Sequence, residues 1–230
     1  MPRHIGIVGC SAEGAALCYR TICLEGSALL RREDTHPEVS LHTHSLGAYV
    51  SHLERGDLAG VAQLMLDSAN KLARAGADFL VCPDNTIHEA LSLVLDRSPR
   101  PWLHIADVVA EEAAARGFRR VGVTGTAWLV RSDVYPSRLG AVGIEAVRPA
   151  DDDRDTTARI IMSELVRGQF RRESIGELEG VVRRLVARGC DAVVLGCTEL
   201  PLVLGDHNSP VPTLDSTRLL ARAALRHAVD

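Results

Sequence analysis

The sequence predicts an α/β fold of two pseudo-symmetric lobes, each a short parallel sheet flanked by helices, with the active site in the cleft between them. Three observations predict it: strand-like and helix-like runs alternate along the chain, glycines stand where helices would end, and the first half of the chain resembles the second in order. Alternation of this kind favours parallel strands joined by helical crossovers.

Strand-like runs fall at residues 4–8, 39–42, 79–82, 102–105, 120–124, 144–147 and 192–195, with a weaker one at 211–213. They are short and rich in Val, Ile and Leu, as buried parallel strands require. Helical runs at 12–23, 58–75, 88–95, 106–116, 156–165, 175–188 and 216–227 lie between or after them, several with apolar residues at i, i+3 and i+4. Gly76, Gly117 and Gly189 follow three of these runs and read as helix stops.

Arg3-His4-Ile5-Gly6-Ile7-Val8-Gly9 matches Arg119-Arg120-Val121-Gly122-Val123-Thr124-Gly125, and Gly76-Ala77-Asp78-Phe79-Leu80-Val81 matches Gly189-Cys190-Asp191-Ala192-Val193-Val194. One such match means little, because α/β chains reuse these strand patterns. Two in the same order at nearly the same offset indicate an internal duplication. The expected lobes are residues 1–100 with 211–230, and residues 101–210. Continuing the second match carries Asp84 onto Cys197. Each follows a buried strand, where open parallel sheets place their ligands.

Composition removes several classes of function. Among 230 residues, 46% are apolar, which suits a packed protein. The net charge of −4 comes without a basic tract, and aromatics make up only 3%, so no nucleic-acid surface is predicted. No apolar run reaches the roughly 18 residues of a membrane span. Met-Pro-Arg-His leads straight into a strand-like run, unlike a signal peptide, so a cytoplasmic location is expected. The six cysteines show no C-x-x-C pair and are expected as free thiols. His42-x-His44 could face a metal from one strand, but without a third ligand no metal site is predicted. Gly6-x-x-Gly9 lacks the full dinucleotide and phosphate-loop spacing, and no cofactor is expected.

The chemistry gathers in Cys82-Pro83-Asp84-Asn85-Thr86-Ile87-His88 and Gly196-Cys197-Thr198-Glu199-Leu200-Pro201. The second resembles the G-C-T-E-[LI]-P signature of the aspartate/glutamate racemase superfamily, with Cys197 in the place of a catalytic thiol. The first is similar to that superfamily's P-C-N-T-x-H segment through Pro83, Asn85, Thr86 and His88. The segments Ile5–Gly9 and Val121–Thr126 also fit, so the likeness extends over nearly the whole chain.

The resemblance implies a cofactor-independent racemase or epimerase of an amino acid or related α-substituted acid. Catalysis would use Asp84 and Cys197. One departure bears on mechanism: the family's first thiol falls on Asp84, while Cys82, two positions earlier, should point into a core. The first glycine loop, Gly9–Gly14, and the segment His42–Ser45 also depart from the family pattern, so the likeness does not extend to specificity for aspartate. The superfamily also includes single-thiol decarboxylases and cis–trans isomerases of small dicarboxylic acids. These remain alternatives, as does a non-catalytic small-acid binding protein.

The residues support the same chemistry. Moving a proton from one face of a carbon and returning one to the other needs two acid/base groups. Ser11, Asn85, Thr86, Thr126 and Thr198 can donate to a carboxylate or to the enediolate formed on proton loss. Ser11 and Thr126 read equally well as helix N-caps. Glu199 could hold an ammonium, orient Thr198 or favour a helix start. His88 reads as structural rather than as a base, and Trp128 and Tyr135 as packing or cleft walls. The expected partner is a small carboxylic acid, with a homodimer left open.

Overall fold

The computed structural model describes residues 2–31, 33 and 35–230. Met1, Arg32 and Asp34 lie outside the described residues. In chain order the elements are β1 (Ile5–Gly9), α1 (Ala12–Leu30), β2 (Val39–Thr43), α2 (Leu46–Glu54), α3 (Leu58–Arg74), β3 (Phe79–Val81), β4 (Trp102–Leu103), α4 (Ile105–Ala115), β5 (Arg120–Gly125), α5 (Ala127–Arg131), α6 (Val134–Ala141), β6 (Glu145–Val147), α7 (Asp151–Ser163), α8 (Arg172–Ala187), β7 (Ala192–Gly196), β8 (Thr213–Asp215) and α9 (Ser216–Val229). Short 3₁₀ turns occupy Thr86–Leu93, Leu95–Arg97, Leu165–Arg167 and Leu200–Leu202.

The strands form two four-stranded parallel sheets of identical order, β2-β1-β3-β4 and β6-β5-β7-β8. The chain divides into two compact units. The first runs to Ile105 and takes in Thr217–Asp230, and the second is Ala106–Ser216. In each sheet the central strands are the most apolar. Ile5, Ile7 and Val8 of β1 and Val193, Val194 and Leu195 of β7 are all buried, whereas edge strand β2 is only half-buried. Helices α3 and α8 turn Val61, Met65, Leu66 and Leu72, and Leu178, Val181, Val182 and Leu185, to the interior. This is the i, i+3, i+4 face that the sequence pattern described.

Both lobe boundaries differ from the sequence grouping by one strand. Residues 101–105 are expected in the second lobe, but Trp102 and Leu103 pair with Leu80 and Val81 in the first sheet. Residues 211–215 are expected in the first lobe, but Thr213–Asp215 pairs with Val193–Leu195 in the second. The cause is the same in each unit. The fourth strand is two or three residues long and covers an edge of the preceding strand, a pairing that periodicity does not reveal. Helix α9 does belong to the first unit: Arg222 grips Glu25 of α1 with two hydrogen bonds of 2.7 and 2.9 Å, and the His227 ring meets Phe79 edge-on at 4.6 Å.

The repeated G-x-D segments have a shared structural task. Asp78 accepts the His4 backbone N–H at 2.7 Å and returns its own N–H to the His4 carbonyl at 2.9 Å. Asp191 accepts the N–H groups of Arg119 and Arg120 at 2.8 and 3.2 Å and returns its N–H to the Arg120 carbonyl at 2.9 Å. Each carboxylate clamps the start of one central strand to the start of its neighbour. Gly76 and Gly189, two residues earlier, adopt φ of 100° and 88°, which other residues rarely reach, and so permit the tight helix-to-strand turn.

Asp78→Ala and Asp191→Ala should each cost about 1 kcal/mol, the loss of a charge-assisted hydrogen bond at a strand start, and the losses should add in the double variant. Urea titration of the three proteins tests this. A second expectation concerns pH. Burial, and then Arg3, lowers the pKa of His227; burial, followed by Lys71 and His44, lowers that of His42. A histidine with a depressed folded pKa contributes stability above its ordinary value of about 6.5 and loses it as pH falls. The urea midpoint should therefore drop between about pH 7.5 and 5.5, and His227→Gln should reduce the drop.

Candidate active site

The residues singled out by the sequence form two groups, one at the carboxyl ends of the central strands in each unit. In the second unit, β5 and β7 run in register with Gly125 opposite Gly196. Their approach is too close for side chains. A Cβ on Gly196 would lie 2.5 Å from the Thr124 carbonyl oxygen, and one on Gly125 would lie 2.8 Å from the Gly196 oxygen. These two glycines let the chain leave β7 in the direction that places Cys197 at the strand end.

Cys197 donates from Sγ to Oε2 of Glu199 at 2.9 Å, and Thr198 donates from Oγ1 to the same oxygen at 2.7 Å. Glu199 is only 2% exposed and Cys197 7%. A carboxylate this buried needs donors, and here the thiol and the hydroxyl supply them. Glu199 thus accepts hydrogen bonds from both Thr198 and Cys197; the contact with Cys197 is one the sequence reading did not foresee. Thr126 caps α5, its Oγ1 accepting the Leu129 N–H at 3.2 Å.

In the first unit, Asp84 is half-buried just past β3. Its Oδ1 accepts the Ile87 N–H at 3.1 Å, so it caps the following 3₁₀ turn. Its carbonyl receives a hydrogen bond from His88 Nδ1 at 2.6 Å. His88 Nε2 accepts the Ile105 N–H at 3.2 Å. Since one ring nitrogen accepts, the other carries the proton, and His88 is a neutral brace between the Asp84 loop and the start of α4. This agrees with its structural reading. Asn85 and Thr86 are buried in the first turn after Asp84. Ser11 caps α1, its Oγ accepting the Gly14 N–H at 3.2 Å. Cys82 is fully buried, and burial pushes its thiol well above the ordinary range. It is a core residue, as its strand position implied.

Other flagged residues have packing roles. Tyr135 is fully buried beside Ser216, and burial raises its phenol pKa. His42 Nδ1 lies 3.0 Å from Ser68 Oγ, and His44 Nε2 lies 2.8 Å from Asp67 Oδ2. Among the described residues no group of three His, Cys, Asp or Glu could hold a metal ion. No helix among them is long and apolar enough to cross a membrane. The sequence reading missed α2 and with it the buried Tyr49, although Leu46, Tyr49, Val50 and Leu53 carry the i, i+3, i+4, i+7 spacing after Ser45.

Comparison with known proteins adds to this geometry. The Asp/Glu/Hydantoin racemase family profile matches residues 7–224. The broad specificity amino-acid racemase RacX of Bacillus subtilis is 25% identical over 161 residues, covering 70% of this chain and 69% of that protein. A crystal structure of a candidate Asp/Glu racemase from Yersinia pestis is similar at a TM-score of 0.89 and 30% identity, covering 99% of this chain and all of that one. The structure of an aspartate racemase homologue from Pyrococcus horikoshii gives 0.83 and 28%, with complete coverage of both chains.

The buried pair of Cys197 and Glu199 yields a prediction about the thiol. Glu199→Gln keeps an acceptor for the thiol but removes a neighbouring negative charge and a proton acceptor. The pH at which Cys197 reacts with iodoacetamide should fall, because like charge disfavours the thiolate. Mass spectrometry of the Cys197 peptide across pH measures it. An unchanged alkylation profile would mean that Glu199 does not govern the thiol.

Proposed function

The chain belongs to the Asp/Glu/hydantoin racemase family, and from that premise we propose that it is a cofactor-independent racemase or epimerase of an amino acid or related α-substituted carboxylic acid, with Cys197 and Asp84 as its proton-transfer groups. The observation that carries this reading is the Cys197 S–H directed at the buried Glu199 carboxylate. A thiol held in this way has a resident acceptor for its proton. When Cys197 acts as the base, its proton passes to Glu199, and the sulfur takes the α-proton of the substrate. When it acts as the acid, it returns a proton to the carbon.

The pair is chemically unequal. An ordinary thiol titrates near 8.5 and an aspartate near 3.9, a gap of about 4.6 units or about 6 kcal/mol in basicity. Asp84 can share in proton transfer only if its affinity for a proton rises when substrate binds. The substrate carboxylate supplies the required like charge. Ser11, Asn85, Thr86, Thr126 and Thr198 are proposed as substrate-binding groups, because they gather at the strand ends with the hydroxyl and amide donors that a carboxylate and an enediolate need. The caps made by Ser11 and Thr126 fix those hydroxyls in place.

One observation favours a second reading. Asp84 Oδ1 already caps a turn, so Asp84 could serve by structure alone. Cys197 would then act as a single base, in decarboxylation or cis–trans isomerisation of a small dicarboxylic acid.

An NMR screen in D₂O over amino acids and malonates separates the readings. Racemisation labels the α-carbon, decarboxylation releases CO₂, and a binding protein does neither. Cys197→Ser should abolish exchange and turnover, a loss of about a hundredfold or more. Asp84→Asn should stop racemisation while leaving one-sided exchange. Full activity in Cys197→Ser would refute the thiol mechanism, and racemisation at the parent rate in Asp84→Asn would remove Asp84 from it.

A further inference from the structure

Helix α1 carries two apolar faces. Ala15, Cys18 and Ile22 make the inward one and are buried. Leu17, Thr21, Leu24 and Ala28 make the other. They recur at steps of four, three and four, the spacing that lines side chains into one seam along a helix. Leu17 is half-buried, and Thr21 spends its hydroxyl on the Leu17 carbonyl at 2.7 Å, so it brings no polar demand to the seam. Leu24 is 72% exposed, more than any other large apolar side chain described, and Ala28 is exposed too. A helix that covers one sheet needs one apolar stripe, so a second one left in water calls for a partner.

A groove of about 530 Å³ opens beside this seam, with Leu24, Ala28 and Leu29 of α1 on one side and Leu225 of α9 on the other. Its charges are unevenly matched. Glu25 already holds Arg222 with two hydrogen bonds, whereas Arg226 has no acidic partner among the described residues. An occupant must therefore bring apolar side chains at helical spacing, with an acid at one end. The first half of α1 itself meets this description, because exposed Glu13 stands one turn before Leu17. Two α1 helices laid antiparallel about a two-fold axis between Arg20 and Thr21 set Leu17 of each opposite Leu24 of the other. The same axis brings Glu13 opposite Ala28, where Arg226 lines the groove.

We propose that the outer seam of α1 and the groove beside it are a homodimer surface, on which two copies pack their α1 helices antiparallel, Leu17 against Leu24 and Glu13 toward the second copy's Arg226. The contact is isologous: each copy supplies both the leucine that is covered and the leucine that covers it. Leu24 lies about 20 Å along the helix from the Ser11 cap, so the surface leaves the carboxyl ends of β1 and β3 open to a substrate.

Sedimentation equilibrium of the full chain at micromolar concentration tests the proposal. The parent should sediment at twice the 24.8 kDa of one chain. Leu24→Asp should raise the dissociation constant about a hundredfold or more, because each dimer loses two buried leucines. Its urea midpoint should stay level, since so exposed a side chain contributes little to the fold of one copy. Leu95→Asp, at another half-exposed leucine, should leave the mass unchanged. Glu13→Arg should weaken association about fivefold, and Glu13→Arg with Arg226→Glu should recover it. A parent that sediments as a single chain would overturn the proposal, and binding of octanoate by that single chain would assign the groove to a small apolar acid instead. A dimer that persists in Leu24→Asp would place the interface elsewhere, and failure of the paired charge reversal to recover association would overturn the antiparallel pairing.

Discussion

One carboxylate oxygen of Glu199 receives both the Cys197 thiol and the Thr198 hydroxyl, and Glu199 is almost wholly removed from water. That arrangement constrains much of the second unit. A buried charge is tolerated only while its donors stay in place, so the path of residues 196–199 is fixed. The path depends in turn on the contact of β5 and β7 at Gly125 and Gly196, where any side chain would collide with backbone. The apolar strands, their close approach and the proton-holding pair thus form one chain of dependence, from sequence to packing to chemistry.

The first unit reaches a different solution from the same topology. Its sheet has the same strand order, and Asp78 clamps β1 to β3 as Asp191 clamps β5 to β7. At the strand end, however, Asp84 stands where the second unit has Cys197. The carboxylate caps a turn, and its carbonyl is tied through neutral His88 to the start of α4. A duplicated scaffold therefore presents two unlike groups, a thiol hydrogen-bonded to a buried glutamate and a carboxylate braced by backbone.

Much of this was legible in the residues. Alternating apolar runs gave the strands, and Gly76, Gly117 and Gly189 marked helix ends that do have positive φ. The in-register matches anticipated two sheets of one topology. What periodicity could not show were the fourth strands, because two or three residues carry no pattern and their pairing depends on an exposed neighbour. Of the site, the strand-end positions of Asp84 and Cys197 and the core position of Cys82 were readable. The Cys197–Glu199 contact was not, since residues two apart meet only when the chain turns sharply. Helix α2 was overlooked although its i, i+3, i+4, i+7 spacing is legible, because it lies between two short polar stretches and follows β2 closely.

The central claim is that two different single-proton groups serve the substrate carbon. Racemisation of one enantiomer of an accepted amino acid in D₂O, followed to low conversion, tests it most directly. The account predicts that the product enantiomer carries deuterium at the α-carbon while the recovered starting enantiomer remains protiated, because the proton removed by one group is not the one returned by the other. A product that keeps its original proton, or equal labelling of both enantiomers from the outset, would contradict it.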